Sequence, residues 1–376
     1  MNPYFWAFLV AAVLGLALTP MAIRLAWATG FLDRPNTALK TQRQPVAYMG
    51  GLAVALAFLV ALFGVKAWLL PTTDQGAWPA GLQVLRGVYA IALGGFIALG
   101  LGLLDDKRAL SPRAKLIGQL GGAVVLVCCG LRVRFINPPW ASMLVTILWV
   151  VTVTNALNFV DIMDGLAASV GLVAAMAFMA FALNSGRSND ALAAAALGGA
   201  LLGFLPYNFQ PARIYLGDAG SHFLGFVLSA ISLNLGYSHQ NELAVFSPLA
   251  ILALPLFDLL LMIVIRTRKG IPPWKGSPDH VPLRLRALGW GVKRVVLSLA
   301  ATTAAVSFII YAASFLPLRT ALMAWAVFGL TAVTLAAWLM SIEMPHDHPT
   351  PSHPTPGPSP SAKNRGRRGV TKKKAL

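Results

Sequence analysis

The feature that most constrains this chain is a series of apolar stretches, each long enough to cross a lipid bilayer. About 20 predominantly apolar residues in an α-helix span the hydrocarbon core. Hydrophobic residues fill 57% of the 376 positions and charged residues only 11%, with a mean hydropathy of +0.69. We therefore predict an all-α integral membrane protein with about eleven transmembrane helices, near residues 4–28, 48–70, 84–104, 114–133, 140–159, 163–184, 191–207, 220–236, 245–266, 293–316 and 320–341.

A net charge of +17 would suit nucleic-acid binding, but the distribution of the basic residues favours a membrane protein. Most of the Lys and Arg fall in loops after odd-numbered stretches and in the C-terminal tail. The loops after even-numbered stretches hold Arg134, Arg187 and Arg319, with Arg132 near a stretch end. Because cytoplasmic loops are enriched in basic residues, we predict a multi-pass membrane protein with the N-terminus outside, the C-terminus in the cytoplasm and no nucleic-acid partner.

We predict a polytopic transmembrane domain, residues 1–342, and a tail, residues 343–376. The tail is rich in Pro and Ser and ends in basic residues. Such a composition cannot build a packed core, so we predict a disordered cytoplasmic tail that is attracted to anionic lipid.

The paired carboxylates Asp105 and Asp106 end the third apolar stretch and are followed at once by Lys107 and Arg108. One interpretation is a solvated interfacial pair that these two cations neutralise. However, most of the 13 acidic residues lie in or beside the loops predicted to be cytoplasmic. Acids at the ends of several helices can converge on one point, which favours a functional site on the cytoplasmic face.

A second polar motif follows the fifth stretch, where Asn155, Asn158, Asp161 and Asp164 recur at a spacing of three. Side chains at this spacing share one side of a helix. A row of amides and carboxylates suits a sugar or a nucleotide, whereas a polar helix cap is the simpler alternative.

A third motif, YLGDAGS, places Asp218 between Gly217 and Gly220. These glycines let backbone approach a ligand closely, and Ser221 can cap the following helix, whose N-terminus favours phosphate. The alternative is an ordinary Gly-rich turn. Asn208 is a candidate amide partner for this segment.

The ninth stretch and the loop after it supply the remaining candidates. Asp258 is an intramembrane carboxylate, which marks either a functional site or a bond to a neighbouring helix. The loop contributes Lys275, His280, Arg284 and Arg286. Mg²⁺ takes one or two carboxylates and leaves room for substrate oxygens. The sequence thus predicts a metal-binding acidic cluster ringed by cations, suited to two anionic substrates, one of them a lipid.

These motifs resemble those of the polyprenyl-phosphate N-acetylhexosamine-1-phosphate transferases over roughly residues 20–290. Enzymes of this family move a sugar 1-phosphate from a UDP-sugar to undecaprenyl phosphate and release UMP. The resemblance implies UDP-N-acetylhexosamine and undecaprenyl phosphate as substrates, Mg²⁺ or Mn²⁺ as cofactor and a location in the bacterial plasma membrane. A homodimer is one option for the assembly. The resemblance is carried by the segments DDKRALSPRAKLIGQ, NALNFVDIMDGLA, PYNFQPARIYLGDAGSHFLGF, DRPN and PLFD.

Matched residue by residue, the resemblance also implies roles for the candidate residues. The implied catalytic residues are Asp105, Asp106, Asp161 and His280. The implied metal ligands are Asp218, Asp105 and Asp106. Together with the patterns above, the predicted substrate-binding residues are Lys40, Lys115, Asn155, Asn158, Asp164, Asn208, Arg284 and Arg286.

The chain departs from the family pattern at three places. Ile162 stands where the family has Gly after the aspartate that corresponds to Asp161, and Gln42, in the loop after the first stretch, stands for a histidine. The family has a cluster of three histidines in the loop after the ninth stretch. Here Pro282 and Leu283 stand in place of two of them, so that only His280 remains. We expect Arg284 or Arg286 to take over phosphate binding there.

Three alternatives bear on function. Within the family, a phospho-N-acetylmuramoyl-pentapeptide transferase is the closest competitor, although the shortened histidine cluster favours a branch that initiates surface glycans. An ion-coupled transporter would explain Asp258, but the polar motifs cluster on one face. A CDP-alcohol phosphotransferase needs an Arg and two further acids after its Asp-Gly, which the residues following Gly165 lack.

Overall fold

The computed structural model describes residues 1–35, 44–69, 78–238, 241–272 and 279–344, and Met1–Ile342 form one compact unit. The described part is helical apart from a two-stranded antiparallel ladder, β1 (Leu32–Asp33) and β2 (Val46–Ala47), and a 3₁₀ turn at Glu242–Phe246. The helices are α1 (Pro3–Thr29), α2 (Gly50–Leu69), α3 (Trp78–Lys107), α4 (Pro112–Cys128), α5 (Pro139–Val160), α6 (Leu166–Asn184), α7 (Ser188–Asn208), α8 (Gly217–Asn234), α9 (Ser247–Ile251), α10 (Ala253–Arg268), α11 (Val281–Ala287), α12 (Val292–Ala313) and α13 (Leu318–Ser341).

The prediction of an all-α multi-pass membrane protein is confirmed. Over the described ranges, eight helices are long and apolar enough to cross a membrane, or nine if the pair Glu242–Ile251 and Ala253–Arg268, bent by 71°, forms one span. α4 and α8 are the other two segments predicted to span, and they do not meet the same criteria of length and apolarity. The number of crossings and the face that carries the polar motifs therefore stay predictions.

The core is built around α8, which is buried along almost its whole length and packs against α2, α3, α5 and α6. Small residues permit this close packing, as is usual between membrane helices. A Cβ added at Gly102 of α3 would lie 2.3 Å from the Asp218 carbonyl oxygen. One added at Gly51 of α2 would lie 2.2 Å from the Gly220 nitrogen. Both contacts fall at the N-terminal end of α8, so they set the position of the Asp218 motif.

The loop between α7 and α8 is tied to the strand ladder by backbone hydrogen bonds. The Tyr215 N–H donates to the Ala47 carbonyl at 2.9 Å. The N–H groups of Gly50 and Gly51 donate to the carbonyls of Tyr215 and Leu216 at 3.0 and 2.9 Å. The segment that enters α8 is therefore held by the segment that enters α2. This bonding places the residues before α2 beside the YLGDAGS motif.

The helix predicted to carry four polar residues on one side ends earlier than the sequence suggested. α5 stops at Val160, and Asp161 is its C-cap with φ −77° and ψ 50°. Asp164 lies in the following turn, which Gly165 closes with a φ of +78° before α6 begins. The prediction of one continuous helical face is therefore wrong beyond Asn158, because the chain turns there and sends Asp161 and Asp164 in new directions.

Candidate active site

Three helices bring their charged side chains together at one point. Lys115, in the first turn of α4, contacts the carboxylate of Asp105, in the last turns of α3. The same ammonium lies 3.3 Å from Asp218 Oδ2, at the start of α8. Asp105 is 7% exposed and also accepts the Leu110 N–H at 2.7 Å. The Lys115 ammonium thus joins the predicted carboxylates Asp105 and Asp218, and these three residues form the charged cluster.

Asn158 holds the other oxygen of Asp218. Its amide nitrogen donates to Asp218 Oδ1 at 2.8 Å and to the Ser221 hydroxyl at 2.9 Å. The last full turn of α5 is thereby fixed to the first turn of α8. Asp218 has a hydrogen-bond donor on each oxygen, and its side chain remains 28% exposed. A carboxylate that is oriented yet accessible in this way can bind a ligand.

Asp106 has a different environment from its neighbour Asp105. Its Oδ1 accepts the Asp218 N–H at 2.8 Å, and its Oδ2 accepts the Ala219 N–H at 3.0 Å. The first N–H groups of a helix have no intrahelical partner, and a carboxylate there also interacts favourably with the helix dipole. Asp106 therefore caps α8 from α3, a structural role that the sequence did not predict. Its role as a metal ligand stays a prediction.

We expect Asp106→Asn to lower stability as well as activity. An asparagine has one acceptor oxygen, so one N–H of α8 would face the amide NH₂ and lose its bond, at about 1–3 kcal/mol. Thermal unfolding of the purified protein in detergent should show a lower Tm than the wild type. Glu242→Gln is the control, because it removes an exposed carboxylate in the 3₁₀ turn. An Asp106→Asn protein with an unchanged Tm but no activity would contradict the capping role.

Asp161 and Asp164 lie beside this cluster. Burial, followed by the negative charges of Asp218 and Asp164, raises the pKa of Asp161 to about 8, although the Gly217 N–H that it accepts lowers it. Burial also raises the pKa of Asp164, against the hydrogen bond from the Ala212 N–H at 3.0 Å. A carboxyl group with a pKa near 8 is largely protonated at neutral pH, so Asp161 can donate a hydrogen bond to an anion.

A cavity of about 760 Å³ opens next to Asp164. Its lining combines two arginines, Arg24 and Arg213, with aromatic rings from three segments: Trp27, Tyr207 and Tyr215. The volume lies within the range of small-molecule sites. Arginines suit phosphate groups, and aromatic faces suit a planar base. The sequence reasoning missed these residues. An arginine near the end of the otherwise apolar α1 was the signal that could have revealed Arg24.

His280 is held at the same end of the molecule by Asp258. Its Nδ1 lies 2.7 Å from Asp258 Oδ2, and the Val281 N–H donates to Asp258 Oδ1 at 2.6 Å. The imidazole ring lies 6.2 Å from the ring of Phe159, the neighbour of Asn158. Asp258 was interpreted either as part of a functional site or as a bond to a neighbouring helix. Its contact with His280 fits both, because it joins α10 to another segment and that segment carries a predicted catalytic residue.

The structure does not place Arg284 and Arg286 at the charged cluster. Arg284 is 2% exposed, and its guanidinium donates to Asp279 and to the carbonyls of Leu339 and Ile342. Arg286 donates to the Trp290 carbonyl at 2.9 Å. The prediction that Arg284 or Arg286 takes over phosphate binding gains no support from the contacts of Arg284, because they fasten α11 to the end of α13. Arg286 lies on the exposed side of α11, so its predicted role gains no support from its contacts.

Two predicted substrate-binding amides are also engaged in internal bonds. Asn155 exchanges hydrogen bonds with Gln119 of α4, at 2.7 and 3.3 Å, and donates to the Val151 carbonyl. Asn208 is 3% exposed and donates to the Ile214 carbonyl at 2.9 Å. These contacts give both amides a structural role, since they hold α4 to α5 and close the loop before α8, and their substrate-binding roles stay predictions. Lys40 lies outside the described residues.

The two carboxylates beside Lys115 suit a magnesium ion whose remaining ligands are substrate oxygens. Within the part of the chain that the structure describes, no three His, Cys, Asp or Glu side chains are grouped as a metal-binding set. Asp105 and Asp218 nevertheless contact the same ammonium, so two carboxylates face one position of positive charge. Mg²⁺ is commonly held by one or two carboxylates together with water and substrate phosphates. The residues present therefore fit this ion.

Comparison with known proteins identifies the family. The family model described as "Glycosyl transferase family 4" matches residues 88–236, which include the segments around Asp105, Asn158 and Asp218. A probable undecaprenyl-phosphate N-acetylglucosaminyl 1-phosphate transferase of Bacillus subtilis is 33% identical over 300 residues, covering 77% of this chain and 79% of the relative. The chain belongs to the polyprenyl-phosphate N-acetylhexosamine-1-phosphate transferase family.

Two further relatives of this transferase have names with different sugar substrates. A decaprenyl-phosphate N-acetylglucosaminephosphotransferase of Mycobacterium tuberculosis is 34% identical over 283 residues, covering 67% of this chain and 68% of the relative. A phospho-N-acetylmuramoyl-pentapeptide-transferase of Desulforudis audaxviator is 33% identical over 325 residues, covering 78% of this chain and 91% of the relative. The shared activity is transfer of an N-acetylhexosamine 1-phosphate to a polyprenyl phosphate at a membrane.

Proposed function

We propose that this transferase moves N-acetylglucosamine 1-phosphate from UDP-N-acetylglucosamine to undecaprenyl phosphate, with Mg²⁺, at the cytoplasmic face of the bacterial plasma membrane. The product, undecaprenyl-diphospho-N-acetylglucosamine, would begin a cell-surface glycan. The observation that carries the proposal is the pair Asp105 and Asp218, which come from different helices and share one cation. Two of its relatives, from Bacillus subtilis and Mycobacterium tuberculosis, carry names with an N-acetylglucosamine substrate.

Charge balance explains why such a site is needed. A phosphate monoester carries between one and two charges at neutral pH, and the donor pyrophosphate adds two more. Bringing these groups together in a cleft of low dielectric is strongly repulsive. In our proposal, Asp105 and Asp218 hold the magnesium ion, which supplies positive charge to the phosphates when bound. Lys115 adds a second positive charge at the same point.

The transfer itself is a single displacement in our proposal. An oxygen of the lipid phosphate forms a bond to the β-phosphorus of the UDP-sugar, and the bond from that phosphorus to the bridging oxygen breaks. UMP leaves with the bridging oxygen. The acceptor is already largely dianionic, so the protein's main contribution is positioning and charge stabilisation. A trapped phospho-sugar adduct on Asp105, formed without lipid, would instead support a double displacement.

The cavity beside Asp164 is our candidate for the nucleotide part of the donor. Tyr215, which lines it, lies three residues before Asp218 in the chain. A nucleotide there would leave its phosphates within reach of the charged cluster. Arg24 and Arg213 give the cavity positive charge, and Asp164 offers an acceptor for a base or a ribose hydroxyl.

A panel of UDP-sugars tests the proposed substrate. Purified protein with undecaprenyl phosphate and Mg²⁺ should release UMP from UDP-N-acetylglucosamine, and chelation by EDTA should stop the release. UDP-N-acetylmuramoyl-pentapeptide belongs in the same panel, because the Desulforudis audaxviator relative makes its transfer a second candidate function. Faster turnover of the pentapeptide substrate would replace our assignment with that one, and UMP release that persists in EDTA would reject the metal.

A further inference from the structure

A second cavity, of about 480 Å³, lies at the opposite end of α8 from the charged cluster. Asp218 stands at the start of α8 and Asn234, which lines this cavity, at its end. Sixteen residues of α-helix separate them by roughly 24 Å at 1.5 Å per residue. The cavity is therefore remote from the charged cluster.

The wall of this cavity is mainly apolar. Val145 and Trp149 of α5 face side chains from the segment after α8 and from α9, among them Leu235 and Leu249. Two polar side chains in the wall bond to each other, since the Trp149 indole N–H donates to the Ser232 hydroxyl at 2.9 Å. Such a wall suits a hydrocarbon chain rather than a polar ligand.

The mouth of the cavity carries positive charge. Its described lining includes Arg134 and Arg187, both exposed, and no carboxylate. Arg134 donates one hydrogen bond, to Asn234 Oδ1 at 3.2 Å, and Asn234 in turn donates to the buried Asp190. A guanidinium has five N–H donors, so Arg134 retains donors for a phosphate while Asn234 fixes its direction.

The surface around the mouth is apolar as well. Phe135 is 57% exposed and makes an edge contact with Phe246, with ring centroids 6.3 Å apart. Leu249 is 44% exposed. A cavity with an apolar rim, an apolar wall and two arginines at its mouth complements a molecule that has a hydrocarbon chain and an anionic head.

We propose that this cavity binds an anionic phospholipid of the bilayer, with one acyl chain between α5 and α9 and its phosphate at Arg134 and Arg187. Phospholipids fit because they present both parts at the height of a membrane interface. The proposal concerns a site remote from the charged cluster, so it does not depend on the sugar substrate.

Native mass spectrometry of the purified protein with phosphatidylglycerol or phosphatidylcholine tests this assignment. We expect the wild type to bind phosphatidylglycerol in preference, and the double variant Arg134→Ala/Arg187→Ala to lose roughly tenfold in that affinity, the scale of one charge-assisted bond pair. Arg319→Ala is the matched control, since Arg319 is an exposed arginine outside this cavity. Leu249→Trp should weaken binding by filling the wall, and all variants should release UMP at the wild-type rate.

The opposite results would overturn the proposal. Equal binding of the two phospholipids would show that the arginines do not select an anionic head. A loss of affinity in Arg319→Ala as large as that in the double variant would lead to the same conclusion. Unchanged binding in Leu249→Trp would place the lipid elsewhere on the surface. Preferential binding of undecaprenyl phosphate over phosphatidylglycerol, measured in competition, would replace a bilayer lipid by the acceptor substrate.

Discussion

Asp218→Ala should reduce sugar 1-phosphate transfer by at least about 10²- to 10³-fold, the scale of losing one preorganised electrostatic group. Asp218 receives Asn158 on one oxygen and Lys115 on the other, so the substitution removes the group on which α4 and α5 converge. Asp218→Asn should show a similar loss, because the amide keeps the size of the side chain but not its charge. Release of UMP by purified protein measures the effect.

Two controls separate this effect from a loss of folding. An acidic residue near a helix N-terminus contributes about 0.3–1 kcal/mol, so the Tm of Asp218→Asn should fall only slightly. Glu242→Gln removes an exposed carboxylate in the 3₁₀ turn, away from the charged cluster, and should retain wild-type turnover. Transfer at near the wild-type rate in Asp218→Asn would show that the negative charge is not needed, and our assignment of Asp218 as a magnesium ligand would fail.

The convergence of Asp105, Lys115 and Asp218 illustrates what the sequence could predict. Each residue lies near one end of a predicted apolar stretch, and the loops at those ends were assigned to one face by their basic residues. Helices are rigid, so groups at their ends can meet once the fold is known to be a compact bundle. Helix length and charge asymmetry are local properties of the sequence, and for that reason they could be read without a structure.

Asp106 and Arg284 illustrate what could not be predicted. Asp106 caps α8, which begins more than a hundred residues later, and only the packing of α3 against α8 at Gly102 makes this contact. Arg284 stands in a basic loop, yet it is buried beneath the end of α13. Charge and spacing describe a residue's own segment, whereas burial depends on which distant segment covers it. The positions of Asp161 and Asp164 could not be predicted either, because they depend on where α5 ends and on the turn that Gly165 closes.

A double-mutant cycle on Asp105 and Lys115 should show that the two side chains act as one unit. Asp105→Asn keeps the oxygen that accepts the Leu110 N–H, and Lys115→Gln keeps a polar group of similar reach, so both substitutions remove charge with little change of shape. We expect each single variant to lose about 10²-fold in UMP release. We expect the double variant to lose little more than either single one, because residues that act together are strongly non-additive.

The physical reason is that each charge is useful only while the other is present. Without Asp105, Lys115 would be drawn to Asp218 and would neutralise the carboxylate that remains for the metal. Without Lys115, Asp105 and Asp218 would repel each other across the gap that the ammonium now bridges. Stability should fall in each single variant, because the Asp105 side chain is only 3% exposed and that of Lys115 28%, and removing one partner of a buried pair leaves the other charge without its counterion. If the two losses instead multiply to about 10⁴-fold, the two residues contribute independently, and the shared cation is an incidental contact rather than the organising feature of this site.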